Sequence, residues 1–235
     1  KGESSRILWN TTQSGKEQRQ SGYDSFLKEA RKMAKIDQIP SIVRVRDMFL
    51  DNETAYIVMD YVEGITLKQK LLKNGPLGFS ECMGLLGPMM EDLAKVHRQG
   101  MIHRDISPDN IMLTRQGKAK LIDFGASKNY GNLGKGPILL KKGYAPIEQY
   151  SRDGIQGPWT DIYSMCASIY YLLAGIRIPV PRERMERDTV VPLQKLGVGI
   201  SEEKDRAIKK GLSIEAKDRY QTIAGLYQDL YGELI

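Results

Sequence analysis

The hydrophobic pattern of this 235-residue chain changes period once, at Gly64. Before that point residues 42–50 and 54–62 are rich in β-branched and aromatic residues, and Asp51-Asn52-Glu53 between them has the chemistry of a short turn. Upstream of the pair, Phe26, Leu27, Ala30, Met33 and Ala34 recur at helical spacing until Pro40 stops them. After Gly64 helical patterns dominate, at 67–72, at 79–97 with Pro88 as an interruption, and at 160–174, 202–211 and 220–234. Two short apolar pieces, 111–113 and 119–122, predict a small hairpin turning at Gln116-Gly117. Residues 125–143 predict a long loop, and 179–199 a Pro-rich, charged connection. One helix and an antiparallel pair followed by a helical body predict an α+β fold in two unequal layers, divided into 1–63 and 64–235 with a hinge at Gly64.

Composition removes several classes. At 41% hydrophobic and 27% charged residues the chain is an ordinary globular one, which excludes disordered, collagen-like and coiled-coil proteins. Cys82 and Cys166 are the only cysteines and there are two histidines, so neither a disulfide framework nor a structural metal site is available, and a reducing cytoplasm fits best. The longest uncharged run, residues 162–176, is 15 residues long and carries three tyrosines. A bilayer needs about 20 apolar residues, so this run predicts a buried core helix and no membrane segment is expected in the chain. Residues 1–20 are polar and carry no signal-peptide pattern. The net charge of +6 is spread along the sequence, which suits a small anionic ligand and argues against nucleic acid as a partner.

The densest chemical signal is H-R-D-I-S-P-D-N at 103–110, followed 13 residues after Asn110 by D-F-G at 123–125, and then by A-P-I-E at 145–148. Taken singly, a D-x-x-x-x-N pair is most often a loop cap and D-F-G a turn. The three in this order within 46 residues resemble the protein-kinase signature set. With the G-Y-A-P-I-E-Q-Y context, the chain looks most like the bacterial members of the eukaryotic-type Ser/Thr kinases. The resemblance implies a two-lobed kinase fold with an incomplete small lobe and a complete helical large lobe. It also implies ATP and Mg²⁺ as cofactors and a protein substrate with a Ser or Thr acceptor.

Phosphoryl transfer is mostly positioning and charge neutralisation, so such a site needs oxygen ligands for Mg²⁺ and a carboxylate to orient or accept the acceptor proton. By the resemblance Asp105 is the catalytic base, Asn110 holds one Mg²⁺ and Asp123 holds the metal bridging the phosphates. Arg104 completes the implied catalytic set as the residue through which phosphorylation of Ser127 would act. Met59 would guard the back of the adenine pocket, backbone groups of Asp60 and Val62 would bond the ring, and Met112 would pack beneath it. Without the motifs, these four read equally well as plain strand and core. Glu29 matches the partner of the ATP-anchoring lysine, Asp161 the residue that holds the catalytic-loop backbone, and Glu148 with Arg219 a buried ion pair under the substrate-binding loop.

Two features depart from that pattern. The chain contains no G-x-G-x-x-G loop and no V-A-I-K strand, and Lys16, Lys118 and Lys120 do not replace the missing lysine. An N-terminally truncated kinase domain, with weak or absent catalysis by the chain as it stands, is therefore expected. Ser107 stands where these kinases usually carry a Lys that touches the transferred phosphate. Two alternatives stay open: a pseudokinase-like scaffold, and a small-molecule phosphotransferase, for which A-P-I-E and the Arg219 partner would be out of place. Oligomeric state and physiological substrate are not legible.

Overall fold

The expected antiparallel pair is present, with its first strand starting and its second ending three residues inside the predicted bounds. The computed structural model describes residues 36–51, 54–123, 128–129, 140–151, 153–233 and 235. In it β1 (Val45–Asp51) pairs with β2 (Thr54–Met59), with Asp51 opposite Thr54 and an irregularity between Val45 and Asp47. Phe49 stacks on Tyr56 directly across the pair, ring centroids 5.2 Å apart. The expected first helix with Glu29, and Lys16, fall outside the described residues.

The segment just before β1 ties the hairpin to the rest of the chain. Ile42 is 2% exposed and forms a parallel bridge to Leu121. The Val43 N–H donates to the Leu121 carbonyl at 3.0 Å, and the Leu121 N–H donates to the Ser41 carbonyl at 2.7 Å. Ser41 in turn donates its N–H to Asp92 Oδ2 at 2.8 Å.

At Gly64 the structure changes with the sequence pattern. Gly64 opens β3 (Gly64–Thr66), and only glycine fits there, because a Cβ would lie 2.0 Å from the Leu113 carbonyl oxygen. Thr66 ends that strand and caps α1 (Leu67–Asn74). Its hydroxyl accepts the Gln69 N–H at 3.0 Å while its own N–H donates to the Gln69 side chain at 2.8 Å, a reciprocal capping box.

The long helix α2 (Phe79–Arg98) runs unbroken through Pro88, where an interruption was expected. Proline deprives the Gly84 carbonyl of its donor. Both Gly84 and Pro88 lie on the exposed face, so water can satisfy that carbonyl, while Leu86, Met89, Met90 and Leu93 on the opposite face are fully buried. Burial of those four side chains, each worth about 1.5–3 kcal/mol, outweighs the local defect.

After α2 come β4 (Met101–Ile102), β5 (Ile111–Thr114) and β6 (Ala119–Leu121). Gly117, at φ +76°, makes the β5–β6 turn, as the Gln116-Gly117 signal predicts. β3, β5 and β6 form one sheet in that order. β4 pairs with β7 (Lys128–Asn129), a short strand inside a stretch expected to be loop throughout. Its two residues gain backbone partners from β4 that hydrophobic pattern could not reveal.

The remaining helices build the core. α3 (Pro158–Ala174) is buried on every side from Thr160 to Leu173, as expected for the uncharged run, and among the described residues no helix is long and apolar enough to cross a membrane. The connection 179–199 is more structured than expected. It holds α4 (Pro181–Glu186), started by Pro181 in the first turn, and a 3₁₀ turn at Leu193–Leu196 whose Leu193 and Gln194 N–H groups donate to the Asp205 carboxylate at 3.1 and 3.2 Å. α5 (Glu202–Gly211) matches its predicted span. α6 (Ile223–Tyr231) is shorter than predicted, because Thr222 caps it through the Gly225 N–H and Gly232, at φ +79°, ends it. α2 packs on α3 and α6, and α3 on α5 and α6.

Candidate active site

The loop between β4 and β5 carries residues 103–110, and a single buried carboxylate sets its shape. Asp161, in the first turn of α3, is 0% exposed. Its Oδ2 accepts from His97 Nε2 and from the His103 N–H, and its Oδ1 from the Arg104 N–H, each at 2.8 Å. Burial opposes the charge, but the His97 bond and the surrounding donors outweigh it and hold the carboxyl below the usual carboxylate range. Arg104 sits at φ +74°, a left-handed conformation that costs a non-glycine residue on the order of 1 kcal/mol or more. Three bonds hold it there: its N–H to Asp161, its Nε to Gln156 Oε1 at 2.7 Å, and its carbonyl receiving Gln149 Nε2 at 2.8 Å.

His103 supports Asp105 from below. Its Nε2 lies 3.1 Å from the Ile122 carbonyl, and its Nδ1 is 3.2 Å from the Asp105 nitrogen. The neutral tautomer protonated at Nε2 satisfies both, donating to Ile122 and accepting the Asp105 N–H. Burial lowers the His103 pKa, which keeps the ring neutral. The unfolded chain then binds the extra proton first, so this contribution to stability is fully present above the ordinary histidine value of about 6.5 and is lost as pH falls below it. Melting curves are expected to shift down by a few degrees between pH 7.5 and 5.5, and His103→Gln should remove most of that slope. An unchanged slope in the variant would assign the pH dependence elsewhere.

Of the three polar residues singled out by the motifs, Asp105 and Asn110 bond each other within this loop, and Asp123 is tied to it through the neighbouring backbone. Asn110 donates both Nδ2 hydrogens to Asp105, one to its carbonyl and one to Oδ2, both at 2.8 Å. The amide oxygen is what Asn110 has left to offer a cation. The Ile122 N–H donates to the Asn110 carbonyl at 2.9 Å, which ties the start of D-F-G to the same loop, and Asp123 follows at φ +64°. Among the described residues no group of three His, Cys, Asp or Glu side chains could hold a metal. One amide oxygen and one carboxylate nevertheless fit Mg²⁺, which keeps several waters and leans on substrate phosphates rather than on an all-protein cage.

Two lysines join the site that the motifs do not mention. Lys141 Nζ lies 4.0 Å from Asp105 Oδ1 and 3.6 Å from Asp109 Oδ2, and Lys68 Nζ lies 2.8 Å from Asp109 Oδ1. Ser107 is fully buried, and its hydroxyl has no hydrogen-bond partner among the described residues.

The predicted adenine-side residues cluster where β2 hands over to β3. Met59 ends β2 at 38% exposure. The Asp60 N–H donates to the Arg44 carbonyl at 2.9 Å and its carboxylate is paired with Arg46, so only its carbonyl is left to bond a ring amine. Val62 is half-buried, as is Met112, which stands opposite Thr66 on β5. Glu29 and Ser127 lie outside the described residues.

Beneath A-P-I-E, Glu148 and Arg219 form a buried bidentate pair at 2.8 and 3.0 Å. Thr160 Oγ1 also donates to Glu148 at 2.9 Å. The other guanidinium hydrogens go to the carbonyls of Ser213, Ile214 and Trp159 at 2.7, 2.6 and 3.2 Å.

The family model described as protein kinase domain matches residues 9–223. The chain is 30% identical over 216 residues to the serine/threonine-protein kinase PknL of Mycobacterium tuberculosis, covering 87% of this chain and 53% of that protein. It is 29% identical over 215 residues to the serine/threonine-protein kinase PrkC of Bacillus subtilis, covering 87% and 33%. A solved structure titled "PpkA-294 apo form" superposes with a TM-score of 0.74 at 36% identity, covering 94% of this chain and 78% of that one. The chain thus spans about half or less of the length of these curated relatives.

Proposed function

From the premise that this chain belongs to the protein kinase family, we propose that the native protein transfers the γ-phosphate of ATP to Ser or Thr hydroxyls of protein substrates. The observation that carries this reading is the Asp105–Asn110 lock, with the leader of D-F-G bonded to the same asparagine. In this arrangement Asp105 orients the acceptor hydroxyl and takes its proton. Asn110 and Asp123 present oxygens to Mg²⁺, which when bound draws charge from the phosphates. The Asp60 carbonyl and the Val62 backbone face adenine, with Met59 behind the ring and Met112 beneath it. Arg104, held by Asp161, Gln149 and Gln156, keeps the loop in its strained shape and is the residue a phosphorylated loop would engage. We place the division between lobes at 63/64, where β3 joins the larger body. Buried, unpaired Cys82 and Cys166 favour a reducing cytoplasmic setting. The Glu148–Arg219 pair beneath A-P-I-E favours a protein substrate over a small molecule.

Mg-ATP at a hundred times its dissociation constant stabilises a binder by about 2.7 kcal/mol. For a chain of this size that is a melting shift of roughly 5–10 °C. The expected result is such a shift with Mg-ATP, together with phosphate transfer from labelled ATP to a Ser/Thr peptide library by the full-length native protein. Binding with no transfer to any peptide would instead support the scaffold reading.

A further inference from the structure

We propose that Lys141 supplies the positive charge that position 107 does not, acting on the oxygens of the phosphoryl group as it passes to the acceptor. The proposal rests on the phosphotransfer reading above. Asp105, Asp109 and Asn110 on the 103–110 loop and Asp123 after β6 are all acidic or neutral, and the hydroxyl at Ser107 is buried and uncharged. Among the described residues Lys141 is the one cation within 4.0 Å of the Asp105 carboxylate. Asp109, its nearer neighbour at 3.6 Å, is also paired with Lys68 at 2.8 Å, so Lys141 shares that carboxylate with a second cation and is not its sole counter-ion.

The lysine is also held at its base. Its carbonyl accepts the N–H groups of Tyr144 and Ala145 at 2.9 and 3.0 Å. Tyr144 is 2% exposed, and its own carbonyl receives the Ser164 hydroxyl of α3 at 2.9 Å. A cation on a fixed stem, with its side chain 29% exposed and 4.0 Å from the Asp105 carboxylate, is suited to charge neutralisation without reorganisation.

The chemistry balances without a new reactant. One bond forms, from the acceptor oxygen to phosphorus, and one breaks, from phosphorus to the diphosphate oxygen, which leaves with the electron pair. The hydroxyl proton goes to Asp105. Lys141 neither gives nor takes a proton and lowers the cost of charge on the phosphoryl oxygens.

The test compares Lys141→Met, Lys141→Arg and Lys141→Cys in the full-length native protein, reading kcat, KM and the Mg-ATP melting shift. Loss of one preorganised electrostatic group typically costs 10²–10³ in kcat, so Lys141→Met is expected to lose about 10²-fold in kcat, with KM for ATP and the melting shift little changed. Lys141→Arg should stay within about tenfold of wild type, since charge is kept. Alkylating the introduced thiol with 2-bromoethylamine rebuilds a lysine-like ammonium and should recover most of the lost rate. Within this chain only the introduced thiol reacts, because Cys82 and Cys166 are both buried and burial pushes the Cys82 pKa up to about 12. Full activity in Lys141→Met, a gain of activity there, or no recovery on aminoethylation would each overturn the proposal while leaving the kinase reading intact. A wild-type protein that binds Mg-ATP and transfers nothing would sink both.

Discussion

Asp105→Asn is expected to lower phosphotransfer by about 10³-fold while leaving the melting temperature within a few degrees of wild type. The substitution is isosteric, and its amide oxygen can still accept the Asn110 Nδ2 hydrogen now bonded to Oδ2 at 2.8 Å. The backbone contacts of residue 105, from His103 Nδ1 at its N–H and from Asn110 at its carbonyl, do not depend on the side chain. What disappears is a carboxylate able to take the acceptor proton, and general-base contributions of this kind run about 10²–10⁴. The measurement is kcat at saturating peptide and ATP, with the Mg-ATP melting shift as a control that the nucleotide site persists. A loss smaller than tenfold would mean that Asp105 is not the base and that the site works by positioning alone.

Arg219→Ala is expected to destabilise the fold by about 3–5 kcal/mol, because it strands Glu148 as an uncompensated buried charge. In a chain of this length that corresponds to a fall in melting temperature of roughly 10 °C. Arg219 is 3% exposed, and its guanidinium is saturated, with two bonds to Glu148 and three to backbone carbonyls. No other side chain offers five planar donors, so Arg219→Lys should recover only part of the loss. The pair links the 3₁₀ turn that begins within A-P-I-E (Ile147–Tyr150) to the turn before α6, across 71 residues of sequence. A variant that melts within two degrees of wild type would show that the pair contributes little beyond what its neighbours already hold.

The parts of this protein that were legible in the sequence are those set by local chemistry. The hairpin, α3 and α5 follow from hydrophobic period and turn residues, and their observed spans differ little from the predicted ones. Errors arose where a distant partner decided. Pro88 looks like a helix breaker until its exposed position on α2 shows that the orphaned carbonyl can reach water. Lys128 and Asn129 look like loop until β4 supplies their backbone partners. The ends of α6 are a local exception, set by Thr222 and Gly232, which are stronger punctuation than the apolar residues around them.

The candidate site divides the same way. Asp105, Asn110 and Asp123 are named through the resemblance of three motifs in order to the protein-kinase signature set, and no one of those motifs would point to them by itself. Sequence carries no comparable signal for Lys141, which lies 36 positions from Asp105 in a stretch with several other lysines and reaches the site only because buried Tyr144 and Ala145 fix its backbone. Nor does it say that His97, His103 and Arg104 share one buried carboxylate, or that the Asp60 N–H is already spent on Arg44. By itself the sequence determined the family resemblance and most of the longer secondary elements, since both depend on residues close together along the chain. The tertiary structure alone decided which charges face one another, because burial and Coulomb interaction depend on distance in space, and distance in space is set by how the helices pack.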